Sequence, residues 1–159
     1  MTTSAKQPAT ALAAIVKEVS VPLSLEEAFA LFTERTCDWW PLATHSVARE
    51  SAASCDFEPR VGGRLVETAR DGTQHVWGTV LAWEPPHRIA MTWHAGRSED
   101  TAQHIEVTFS SVPDGATVLR LVHSGWERLG DDGPGQRARY VPGWDLVLVR
   151  YAELAATES

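Results

Sequence analysis

Glu67 and His123 have side chains able to hold and pass a proton, and both fall at inward positions of otherwise apolar strands. A carboxylate and an imidazole in an apolar pocket can serve as base and acid, because desolvation favours the neutral form of each. The structural alternative is that Glu67 pairs with Arg60 or Arg64 and His123 forms a hydrogen bond in the core. Trp39, Trp40, Trp93, Trp126 and Trp144 could line a site for a flat ligand or fill the core. Trp93 and Trp144 are the leading pair, one on a strand and one on the helix facing it. Trp39 and Trp40 stand beside an irregular stretch, where a pocket mouth and lid belong. Tyr140 and Tyr151 offer hydroxyls on the same helix.

Other chemistries lack their residues. His75, His87, His94 and His104 lie in or near turns or on the outward face of strands, and no H-x-x-x-H, D-x-D or C-x-x-C spacing occurs, so no metal site is expected. Gly62-Gly63 leads into a strand rather than a helix, which is not how a phosphate loop is built, and no cofactor is expected. There is no G-x-S-x-G elbow. Cys37 precedes Asp38, whose charge disfavours a thiolate.

The elements that position these residues follow from turn signals. Ile15–Val21 reads as a strand, and Ser24 with Glu27 as a capping box opening a helix to about Thr33. A second short helix spans about Thr36–Trp40, and residues 42–52 are irregular. Strands are expected near 54–58, 63–70, 73–83, 88–95, 103–112 and 116–126, with a loop over 127–135. A C-terminal helix from about Gln136 to Ala155 carries Tyr140, Trp144, Val147, Leu148, Tyr151 and Leu154 at helical spacing. Pro142-Gly143 should kink or delay it.

Two turns set register. Pro113-Asp114-Gly115 places Phe109 against Leu119, Val107 against Leu121 and Ile105 against His123. Asp71-Gly72 places Leu65 against Gly78 and Glu67 against Val76; Val80 against Met91 then brings Gly78 to Trp93, making room for an indole. The expectation is an α+β helix-grip fold: a curved seven-stranded antiparallel sheet around a long C-terminal helix, with two short helices after the first strand. The candidate ligand-binding set is Trp39, Trp40, Leu65, Glu67, Val80, Met91, Trp93, Ile105, Val107, Leu121, His123, Tyr140, Trp144 and Leu148. Concave apolar gaps of this kind hold small molecules.

Bulk properties narrow the partners. With 159 residues the chain suits one domain, residues 14–156, after a flexible segment 1–13. A net charge of -7 opposes nucleic acid and anionic membranes. No apolar run is long enough to span a bilayer. The start lacks a secretory signal, and two cysteines make no disulfide framework, so a cytoplasmic location is expected.

The segments WWP at 39–41, FEPRVGGRLVE at 57–67, DGTQHVWGTVLAWEPPHRIAMTW at 71–93, LVHSGWE at 121–127 and GWDLVLVRY at 143–151 carry a family resemblance. Over roughly 14–155 the chain resembles bacterial proteins similar to the C-terminal domain of the activator of heat-shock protein 90 ATPase, in the SRPBCC superfamily with START domains and polyketide cyclases. The resemblance implies a helix grip with a cavity, and it carries over no catalytic set. Three functions stay open. The first is binding of an apolar or aromatic small molecule. The second is an enzyme of the cyclase or dehydratase kind on a polyketide-like substrate, with Glu67 and His123 as its catalytic pair. The third is a minimal co-chaperone stimulating a heat-shock protein 90 ATPase, with a chaperone as its partner; a homodimer with a second copy of the chain is a separate candidate assembly. The residues favour binding over chemistry.

Overall fold

The computed structural model describes residues 12–158. The flexible segment expected at 1–13 therefore lies outside the described residues except for Leu12 and Ala13, and Leu12 packs against the core. Strand β1 (Ile15–Val21) is followed by helices α1 (Leu25–Glu34) and α2 (Thr36–Trp39). Strands β2 (Ala52–Phe57), β3 (Arg64–Ala69), β4 (Gln74–Glu84), β5 (Arg88–Trp93), β6 (Gln103–Ser111) and β7 (Thr117–Ser124) come next, then helix α3 (Gly133–Glu158). The seven strands form one antiparallel sheet in the order β1-β7-β6-β5-β4-β3-β2. This is the α+β helix grip. No described helix is long and apolar enough to cross a membrane.

Local chemistry explains most boundaries. The capping box at α1 is complete: Ser24 Oγ accepts from the Glu27 N–H at 3.1 Å, and Glu27 Oε1 accepts from the Ser24 N–H at 3.0 Å. The β6–β7 register places Phe109 on Leu119, Val107 on Leu121 and Ile105 on His123. These side chains are buried, as alternation along two half-buried strands requires.

The β3–β4 register departs from expectation. Leu65 does face Gly78, but the pairing then shifts, so Glu67 lies opposite His75 rather than Val76. The slip leaves Trp77 as an extra residue on β4, a bulge that turns its indole inward while Val76 is only half-buried. Gly78 is needed for a different reason from the one expected. A Cβ there would lie 1.8 Å from the Thr92 carbonyl oxygen, so backbone rather than an indole occupies the space. His94 also differs: β5 ends at Trp93, alternation stops there, and the His94 ring is buried rather than outward.

Helix α3 starts earlier than expected, at Gly133, and the stretch before it is a 3₁₀ turn (Trp126–Asp132) rather than a plain loop. It runs on through Pro142. Pro142 takes the donor from the Ala138 carbonyl, and both residues are on the exposed face, where water can replace the lost bond. Trp144, Val147, Leu148 and Tyr151 are buried against the sheet, and Asp145 and Arg150 are exposed. Leu148→Ala is expected to cost about 2–5 kcal/mol by leaving a cavity under the helix. Urea melts of the variant check this, and a cost near zero would mean the helix does not seal the core through this face.

Candidate functional site

The site begins with the segment between α2 and β2, whose conformation is fixed from below. The Glu67 carboxylate is fully buried and accepts three N–H bonds, each of 2.8 Å: Val47 N–H and Trp77 Nε1–H on Oε1, and Ala48 N–H on Oε2. Its expected partners Arg60 and Arg64 are elsewhere, on Glu58. From above, Trp40 Nε1 donates to the His45 carbonyl at 2.7 Å, and Ser46 Oγ donates to the Leu42 carbonyl at 2.6 Å while accepting from the Arg49 N–H at 2.8 Å. Arg49 closes the segment at φ +53°, the one positive φ of a non-glycine residue among those described.

Between this segment and α3 lies a cleft of about 530 Å³. Its base is a cluster of indoles. Trp40 lies 6.1 Å from Trp93 and 5.7 Å from Trp144 between ring centroids, and Trp93 lies 5.8 Å from Trp144. Tyr140 completes the wall, its hydroxyl accepting from Trp93 Nε1 at 2.9 Å. Burial pushes the Tyr140 phenol pKa up, so it keeps its proton at neutral pH. Among the described residues that proton has no acceptor, which leaves Tyr140 able to donate to a ligand carbonyl. His45 faces the same cleft. Its Nδ1 is 2.7 Å from Thr44 Oγ1, and burial, with the Arg49 charge adding to it, holds its pKa below the ordinary histidine value.

His123 lies under the cleft, fully buried. Its Nδ1 accepts from Trp144 Nε1 at 3.0 Å. That assigns the proton to Nε2, which meets Gln103 Oε1 at 3.2 Å. The Trp126 ring packs on the imidazole at 4.1 Å. Burial lowers the His123 pKa to about 3, so the ring is neutral and holds Trp144 in place.

The sequence-derived candidates therefore divide by place. Trp40, Trp93, Tyr140 and Trp144 line the cleft. Glu67 and His123 stand behind it and orient its walls. Leu65, Val80, Met91, Ile105, Val107, Leu121 and Leu148 are in the packed interior, as is Trp39, whose Nε1 donates to the Leu31 carbonyl at 2.9 Å. His45, Arg49, Gln136 and Arg139 line the cleft and were not among the candidates. Gln136, Tyr140 and Trp144 share one helix face at four-residue spacing, a signal that would have found the first of them. Burial, Asp56 and Asp38 all raise the Cys37 thiol pKa, which disfavours a thiolate there. Among the described residues no three His, Cys, Asp or Glu side chains gather as a metal ion would need.

This architecture recurs in solved structures. An anthrahydroquino-γ-pyrone synthase, Txn09, is 35% identical over 89% of this chain and 96% of its own, with a TM-score of 0.61. The self-sacrificing resistance protein CalC from Micromonospora echinospora is 21% identical over 92% and 96% of the two chains, with a TM-score of 0.68. An Aha1 dimer from Colwellia psychrerythraea is 16% identical over 89% and 95%, with a TM-score of 0.64. The last two share the fold. No curated protein matches. Residues 22–155 match the model of the Activator of Hsp90 ATPase homolog 1-like proteins, and the chain belongs to that family.

Proposed function

We propose that this protein binds a flat, oxygenated aromatic molecule in the cleft between the 44–49 segment and α3. The observation that carries the reading is the three-indole base of a cleft whose 530 Å³ suits a small ligand. Indole faces favour planar rings, and the unused Tyr140 proton favours a carbonyl at the ring edge. The 35% identical neighbour is named for making a fused aromatic pyrone, which agrees with that shape. The chaperone-activator reading draws only on the family description and on neighbours below 25% identity, which share the fold alone.

Titration with flavone and with emodin tests the binding reading. Quenching of tryptophan fluorescence is expected, together with a rise in melting temperature by mass action. Trp93→Phe and Trp144→Phe should each weaken binding. Unchanged affinity in both variants would place the ligand elsewhere.

One observation favours a second reading, ring closure of a polyketide-like substrate. His45 is neutral at pH 7, borders the cleft, and has no partner on Nε2 among the described residues. It is therefore placed to accept a proton from an acidic carbon or hydroxyl. Under this reading a 1-(2-hydroxyphenyl)-1,3-diketone bound by the wild type closes to the pyrone ring, its phenol oxygen, deprotonated by His45, attacking the distal ketone carbon and the former ketone oxygen leaving as water, while His45→Gln retains binding and loses the conversion.

A further inference from the structure

The chain carries 21 acidic and 14 basic residues, yet the fifteen residues lining the cleft include Arg49 and Arg139 and no Asp or Glu. Seven of the thirteen described basic residues form ion pairs, Lys17, Arg35, Arg60, Arg64, Arg88, Arg97 and Arg120, while Arg70 and Arg150, which form neither ion pairs nor side-chain hydrogen bonds, do not line the cleft. Among the described residues, the guanidinium groups of Arg49 and Arg139 form neither an ion pair nor a hydrogen bond. They come from different elements, Arg49 from the segment that ends in a 3₁₀ turn and Arg139 from α3, and the cleft lies between those elements.

Arg49 is also held at a conformational cost. Its φ of +53° is unfavourable for a side chain with a Cβ. Nothing local requires arginine there, because the bonds that fix the segment come from Ser46, Trp40 and Glu67 to backbone groups. Glycine would satisfy the same backbone without strain. A strained residue kept at the edge of a cleft points to a use for its side chain.

We propose that the cleft selects planar aromatic ligands that carry an ionised acidic group, a carboxylate or an aromatic hydroxyl in its phenolate form, with Arg49 and Arg139 as the residues that set this selectivity. This deepens the aromatic-binding reading and rests on it. The ring lies on the Trp40, Trp93 and Trp144 cluster, a ring carbonyl takes the Tyr140 proton, and the anionic group reaches the two guanidinium groups. Guanidinium–carboxylate contacts are charge-assisted and match in shape. In a protein of net charge -7, a cleft lining without carboxylates also spares an anion close-range repulsion.

The test compares anthraquinone-2-carboxylate with the neutral isostere 2-(hydroxymethyl)anthraquinone by calorimetry at low and high salt. The carboxylate should bind about tenfold more tightly at low salt, the size expected of charge-assisted contacts at a partly exposed site. The advantage should shrink as salt screens the arginines. Arg49→Gly, which suits the backbone, and Arg139→Gln, on an exposed helix position, should each reduce the carboxylate-to-neutral affinity ratio, and together bring it close to one. Melting curves confirm that the variants are folded, and if one is not, the other still carries the test. Titrating 2-hydroxyanthraquinone from below to above its phenol pKa separates the two anion sources: affinity that rises with ionisation supports the phenolate as a recognised group, and flat affinity overturns that half of the proposal. Equal affinity for the charged and neutral probes, or an advantage that survives in the double variant, overturns the proposal while leaving the aromatic cleft intact. Failure of both probes to bind overturns the aromatic reading and this inference together.

Discussion

Between pH 7 and pH 5 the folded state is expected to lose about 2 kcal/mol of stability through His123 alone. The sign follows from burial. The folded-state pKa is lowered to about 3 from an ordinary value of 6.5, so the unfolded chain takes up a proton that the folded chain refuses. Stability from this residue is therefore full above pH 6.5 and falls as the pH drops towards 3, by about 1.4 kcal/mol per unit once the unfolded histidine is charged. A proton on Nδ1 would also face the Trp144 N–H, which already points at that atom. Urea melts of the wild type and His123→Gln at both pH values isolate the effect from other titrating groups. The variant should be less stable at pH 7, because it disturbs the bonds to Trp144 and Gln103, and the gap should narrow by about 2 kcal/mol at pH 5. A constant gap would show that His123 does not resist protonation.

Glu67→Gln is expected to destabilise the protein by about 3 kcal/mol, although the two side chains have nearly the same shape. Both carboxylate oxygens are already used as acceptors, by Val47, Trp77 and Ala48. An amide replaces one of them with an NH₂ group, so a donor meets a donor at a fully buried position. The loss should be local as well as global. Hydrogen exchange at the Val47 and Ala48 amides should rise steeply, and flavone affinity should weaken as the 44–49 segment loosens. A variant as stable as the wild type, with both amides still protected, would remove Glu67 from this role.

The inner face of β6 and β7 was legible because the Pro113-Asp114-Gly115 turn leaves one register in which apolar residues meet. The β3–β4 bulge was not. Val76 and Trp77 are both apolar, so hydropathy alone cannot say which one turns inward, and the difference lies in one extra residue on one strand. The aromatic half of the cleft was legible for a similar reason: Trp40, Trp93, Tyr140 and Trp144 declare themselves by size and helical or strand spacing. Its polar half was hidden. His45 and Arg49 are brought to the cleft by a carboxylate twenty residues away that binds backbone N–H groups, and a backbone N–H has no signature in a sequence. Glu67 and His123 stood out as polar residues among apolar ones, and what they do there is orient neighbours rather than face the cleft.

The first strand of this sheet hydrogen-bonds to the last. β1 pairs along its whole length with β7, from Ile15 on His123 to Val21 on Thr117. During synthesis β1 emerges before the other strands of the sheet and has no partner until β7 has followed it. The apolar face of α3, which follows β7, arrives later still. The central hairpins can close early because their turns are local, but the grip cannot, since its loop-closure entropy is spent on contacts between the two ends of the domain. The nascent chain must therefore carry an unpaired edge and an uncovered sheet face until β7 and α3 have emerged, and chains cut short before β7 should aggregate rather than fold.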